Sequence, residues 1–108
     1  MSHIKLSDIP VQEIFPGFKG KMIHSENMTI AHWNIDEGRV LPEHSHFHEQ
    51  IINMQEGELE MTIGGENMVL KAGDIFVIPG NVVHSGKALT NVKVMDIFSP
   101  VREDYQLK

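Results

Sequence analysis

A chain of 108 residues is enough for one domain with a modest core, and 41% hydrophobic with 22% charged residues is the balance of an ordinary globular protein. The formal net charge of -6, with nine Lys and Arg scattered along the chain, works against binding to phosphate backbones, which repel an acidic surface. There is no cysteine, which removes disulfides, thiolate metal sites and cysteine nucleophiles.

In chain order, the opening MSHIKLSDIPVQEIF has no apolar core of a signal peptide, and no later apolar run reaches membrane-spanning length, so a cytoplasmic protein is expected. The first ten or so residues suit a single helical turn. Beyond them, short apolar runs broken by Gly, Pro and Asn every 8–12 residues or so predict strands. These fall at 21–25, 29–35, 49–54, 58–63, 67–71, 75–78, 82–86 and 92–98. Gly64 and Gly65 supply the positive φ of a tight hairpin, while QEGE, KAGD and IPGN mark further turns. Eight short strands without helical periodicity predict an all-β single domain over residues 1–108, closed as a barrel or a double sheet to remove exposed edges.

The stretch LPEHSHFHEQ places His44, His46, His48 and Gln50 at alternate positions, which an extended backbone aims to one side. Imidazoles two residues apart on a strand can reach one ion. His84 follows the Pro79–Gly80 turn, and a returning neighbouring strand can bring it to the same point. His3, His24 and His32 are isolated and read as solvated or hydrogen-bonded side chains.

This spacing resembles the first motif of the cupin superfamily, G-x5-H-x-H-x3,4-E-x6-G. Gly38, His44, His46, Gln50 and Gly57 match it, with Gln in place of Glu. The second motif, G-x5-P-x-G-x2-H-x3-N, is matched by Gly73, Pro79 and His84, with Asn81 where the family has Gly and Ala88 where it has Asn. Asn tolerates positive φ better than most residues, so the first departure is mild. The resemblance implies a jelly-roll barrel with a divalent transition metal (Zn, Ni, Fe, Mn or Cu) in its mouth, held by His44, His46, Gln50 and His84. The alternatives for the fourth ligand are His48 and Glu49, should the strand carry a bulge. His48 otherwise stands near substrate or behind the ligands.

Near the C-terminus, VKVMDIFSPVREDY puts Asp96 on one strand face with Val92, Val94 and Phe98. An inward Asp is unusual unless paired or functional. Arg102 and the backbone are the partners available to a structural one. The tail D-x-F-x-P-x-R-x-D-Y, together with the Gln at position 50, resembles the KdgF family of uronate-linearising cupins. The resemblance implies that Asp96, Phe98 and Arg102 line the pocket beside the metal. It also implies a substrate, a 4,5-unsaturated uronate from pectin or alginate, and, as in small cupins generally, pairing of two copies into a dimer by edge-strand contacts. An iron or copper cupin dioxygenase and a non-catalytic sugar- or metal-sensing cupin are the rival readings.

Trp33 is expected to pack in the barrel or at a subunit contact, away from the motifs. Met54, Met61 and Met95 are expected as core filler. Glu56, Glu58, Glu60 and Glu66 are expected as a solvated rim.

Overall fold

The computed structural model describes residues 1–106. Ten strands form: β1 (Gln12–Phe15), β2 (Phe18–His24), β3 (Thr29–Ile35), β4 (Val40–His44), β5 (Glu49–Glu56), β6 (Glu58–Ile63), β7 (Glu66–Lys71), β8 (Ile75–Ile78), β9 (His84–Ala88) and β10 (Val92–Ser99). Among the described residues there is no α-helix; short 3-10 turns lie at Leu6–Asp8 and Glu103–Tyr105. Among the described residues no helix is long and apolar enough to cross a membrane.

The strands pair antiparallel in two sheets. The larger runs β1-β2-β3-β10-β5-β8 and the smaller β4-β9-β6-β7. Alternation sets which face of each strand is inside. On β10, Val92, Val94, Asp96 and Phe98 are buried; on β3, Thr29, Ala31, Trp33 and Ile35; on β6, Leu59, Met61 and Ile63. These inner faces meet between the sheets, as in a jelly roll.

Glycines make two of the sharp reversals possible. Gly64 and Gly65 sit at φ +57° and +85° in the β6–β7 hairpin. Gly57, at φ +86°, turns β5 into β6, and a Cβ there would lie 2.2 Å from the Asn91 carbonyl oxygen.

Ten strands form where the sequence pattern gave eight. β1 is a short edge strand hairpinned onto β2, which begins at Phe18 rather than at residue 21. β4 holds Pro42, which has no N–H for a ladder, and β4 accordingly lies at a sheet edge. β9 begins at His84, two residues later than expected. Met54 and Met61 are in the core, but Met95 is on the outer face of β10 and fills no core space. Glu56 and Glu58 stand at the rim, with Lys93 at 4.0 Å and Lys71 at 3.8 Å.

Candidate metal centre and the cavity beside it

His44 is the last residue of β4, and the antiparallel register places it directly opposite His84, the first residue of β9. Their rings lie 4.3 Å apart, centroid to centroid. His46 is not on a strand. It sits in the loop 45–48 that carries the chain from the smaller sheet to the larger, and its ring is 5.0 Å from that of His84. One ring nitrogen from each of the three lies within 4.8 Å of the other two. Gln50, on β5, brings its Oε1 to 3.1 Å from His46 Nε2.

The 79–81 turn holds this loop in place. Asn81 N–H donates to the His46 carbonyl at 2.7 Å, with Asn81 at φ +68°, the conformation the family motif reserves for Gly. Gly80 has no side chain to keep the two segments apart: a Cβ there would meet the Phe47 carbonyl oxygen at 2.4 Å.

Hydrogen bonding fixes which nitrogen each imidazole offers. Nδ1 faces a backbone carbonyl in all three rings: His44 to Pro42 at 2.9 Å, His46 to His48 at 3.0 Å and His84 to Val82 at 2.9 Å. A carbonyl can only accept, so Nδ1 carries the proton and Nε2 keeps its lone pair. Burial lowers the His46 pKa to about 4, with the Arg102 and His84 charges adding to the effect. Burial also lowers that of His84. Both rings are thus neutral near pH 7, as metal ligation requires.

The His46 Nε2 lone pair and Gln50 Oε1 are then two acceptors facing each other at 3.1 Å. Ligands at about 2.1 Å from an ion and at right angles to each other are about 3.0 Å apart, so a cation between them resolves the conflict. The donor set fits a metal.

The cavity continues inward from the histidines. It is lined by Gln50, Asp96, Phe98, Arg102, Trp33 and Tyr105, among others. A second cleft, between the loop 45–48 and the tail 100–104, shares His44, His46 and Arg102 with it. Asp96 is buried, and its Oδ2 accepts the Trp33 indole N–H at 3.0 Å, while Oδ1 has no hydrogen-bond partner. Burial raises the Asp96 pKa to about 7; the Gln50 amide, the Trp33 N–H and the Arg102 charge pull the other way. Phe98 packs edge-on to His46 at 5.7 Å. Arg102 is stacked on Phe98 at 4.7 Å and on Tyr105 at 4.0 Å, and its guanidinium grips Asp104 through two hydrogen bonds of 3.0 and 2.7 Å.

A family model described as a cupin domain matches residues 31–98. The pectin degradation protein KdgF of Dickeya dadantii (strain 3937) is 32% identical over 101 residues, which span 91% of this chain and 92% of that one. The chain belongs to the KdgF family of cupins. Two solved structures are similar over almost all of it. KdgF from Halomonas sp. is 31% identical with a TM-score of 0.90, covering 98% of this chain and 99% of that one. An RmlC-like cupin from Shewanella frigidimarina NCIMB 400 is 30% identical with a TM-score of 0.91, covering 98% and 97%.

In this KdgF-family cupin, the residues expected at the site from sequence are brought together around one cavity. His48, the alternative to Gln50, is buried outside the cluster, lining the outer cleft with its ring stacked on exposed Phe47 at 4.0 Å, and Glu49 is exposed. The isolated His24 is hydrogen-bonded to Thr29 at 2.9 Å, in line with its reading. The structural pairing considered for Asp96 does not form, because Arg102 is engaged by Asp104. Trp33 is buried in the barrel as expected but is not remote from the motifs: it touches Asp96. Tyr105, which lines the cavity, and Asp104, which grips Arg102 from the outer cleft, were also missed. A buried indole needs an acceptor, which was a signal; which acceptor depended on the β3–β10 register, which no local pattern specifies.

Proposed function

We propose that this KdgF-family cupin opens the ring of 4,5-unsaturated uronate monosaccharides, giving linear 4-deoxy-5-keto-uronates, an isomerisation that follows lyase cleavage of pectin or alginate. The observation that carries it is a buried carboxyl with a free oxygen, Asp96, in one cavity with three metal-competent imidazoles, in a chain 32% identical to a pectin degradation protein. The reading takes the cytoplasm as the place of the reaction.

In this reading His44, His46, His84 and Gln50 hold a divalent transition metal. All four ligands are neutral, so the bound ion would keep its double charge, anchor the substrate carboxylate and stabilise enolate charge. In the reaction the bond between C1 and the ring oxygen breaks. The C1 hydroxyl proton passes to the ring oxygen, so that C1 becomes an aldehyde and the ring oxygen remains on C5 as an enol, whose O–H proton is released when C4 is protonated. Protonation at C4 converts that enol to the ketone. Asp96 moves the proton at C4, a role worth on the order of 10²–10⁴-fold. Its raised pKa suits that role near neutrality. Arg102 meets the substrate carboxylate with the part of its guanidinium that Asp104 leaves free. Phe98 and Tyr105 hold the guanidinium plane and keep water from the ring.

A second copy of the chain is expected on the outer face of the larger sheet. There Val77, Ile51, Ile97, Ile30 and Ile23 stand in register across five strands, with Ile75 and Val77 exposed on the edge strand β8.

The test is direct. Metal-replete protein is mixed with an unsaturated uronate monomer and the alkene absorbance is followed; it should fall catalytically, and chelation should stop it. Persistence of the alkene with both galacturonate- and mannuronate-derived monomers would end the proposal.

A further inference from the structure

Trp33 is placed with unusual economy for a residue that only fills space. It lies on β3 between Gly20 of β2 and Val94 of β10. A Cβ on Gly20 would sit 2.8 Å from the six-membered ring of the indole, so the missing side chain at position 20 is the room in which the ring lies. Phe18 and Tyr105 close on it edge-to-face at 6.3 and 5.9 Å, with interplanar angles of 80° and 86°. Three neighbours therefore set the ring's rotation, and its N–H is left aimed at one atom, Oδ2 of Asp96, at 3.0 Å.

A carboxyl on a Cα–Cβ stem turns about χ2, and its two oxygens exchange unless something distinguishes them. Here the indole makes the hydrogen bond, and the Gln50 amide is the other polar group that acts on the carboxyl. Oδ2 is occupied and Oδ1 is buried without a partner, in the wall of the cavity that Gln50 and the histidines share. We propose that Trp33 is a positioning residue for ring opening: its N–H holds Oδ2 of Asp96, so that Oδ1 is the oxygen presented to the substrate. This rests on the reading of the reaction given above. Trp33 touches no reacting atom in it and acts through Asp96 alone. Gly20 is the remote support of the same arrangement, because any side chain there displaces the ring.

The experiment uses metal-loaded full-length protein. Trp33→Phe keeps an aromatic ring among Phe18, Tyr105 and Gly20 but deletes the donor. Its kcat should fall roughly tenfold while KM stays within about twofold and metal content is unchanged. In an Asp96→Asn background the same substitution should cost little more, since the carboxyl it serves is gone. Gly20→Ala, which retains the N–H but pushes the ring, should lower kcat in the same way and guards against poor folding of Trp33→Phe. Trp33 is also the chain's one tryptophan, so its emission reports the contact without substrate: Asp96→Ala should shift the maximum by several nanometres. A folded Trp33→Phe with wild-type kcat, full additivity with Asp96→Asn, or an emission indifferent to Asp96→Ala would overturn the inference. The wild-type control separates it from the reaction itself. A wild type that leaves the alkene intact sinks ring opening, whereas an active wild type beside an unimpaired Trp33→Phe sinks only the positioning role.

Discussion

At the scale of single residues, the candidate metal site depends on three backbone carbonyls as much as on three imidazoles. Pro42, His48 and Val82 each hold an Nδ1 proton, so every ring meets the centre through Nε2. His84→Ala removes a ring that is 2% exposed and should abolish stoichiometric metal binding, read by elemental analysis, along with turnover. Asp96→Asn should leave the metal in place and lower kcat by about 10²–10⁴-fold; an unchanged rate would remove Asp96 from proton transfer.

The same groups set opposing pH dependences in metal-stripped protein. Asp96 has a folded pKa of about 7, above its ordinary value near 3.8, so the folded state binds the extra proton and stability falls as pH rises across that window. His46 is lowered from 6.5 to about 4, so there the unfolded state binds the extra proton and stability rises with pH between about 4 and 6.5. In wild type the Asp96 slope opposes that of His46 and those of His48 and His84, which burial also lowers. Asp96→Asn removes the falling one, and its denaturation midpoint should climb with pH from 4 to 6.5 or so; a flat profile would contradict it. The four candidate ligands were legible in the sequence because their spacing is a local pattern. The Trp33–Asp96 and Arg102–Asp104 contacts were not, because they depend on strand register and on the path of the tail after Pro100.

At the scale of elements, strand periodicity picked out His44, His46 and Gln50, which do come together, for a partly wrong reason, and it put His48 on the same face, which the cluster does not include. His44 to Gln50 is not one extended strand: it is the end of β4, a loop, and the start of β5 in the other sheet. Alternation holds on β10, where a period of two did predict the buried face of Val92, Val94, Asp96 and Phe98. It could not reveal β4, whose VLPEH mixes proline and charge as an edge strand does. The loop 45–48 is held from outside, by the 79–81 turn. Gly80→Ala would press a methyl against the Phe47 carbonyl and should weaken metal affinity without touching a ligand. Titration of the stripped protein with Zn or Ni would read this, and affinity equal to wild type would show that the turn does not set the loop. Gly57→Ala is a fold-level counterpart. The left-handed backbone alone costs about 1–2 kcal/mol, the contact with Asn91 adds to it, and thermal unfolding should register the loss with metal affinity spared.

At the scale of the whole molecule, the two sheets have unlike outer faces. The smaller carries Glu60, Thr62, Ser85 and Lys87 along a groove that Val40, Leu41 and Pro42 also line. The larger carries the aliphatic row from Val77 to Ile23, and an uncovered row of that kind favours association. Val77→Lys together with Ile75→Lys alters side chains that are 53% and 66% exposed, so the fold should tolerate them. Light scattering should then give the mass of a single chain where wild type gives two; an unchanged mass would place the contact elsewhere. The all-β class and the two-layer build were legible from turn spacing, whereas this row becomes visible only once five strands are aligned. Strand β10 is the partition between the two surfaces. Asp96 faces the cavity, and Ile97, its neighbour with a Cα about 3.8 Å away, faces outward. A partner resting on that outer wall would steady the very strand from which the Asp96 carboxyl hangs, so dilution into single chains would be felt as slower turnover before any sign of unfolding.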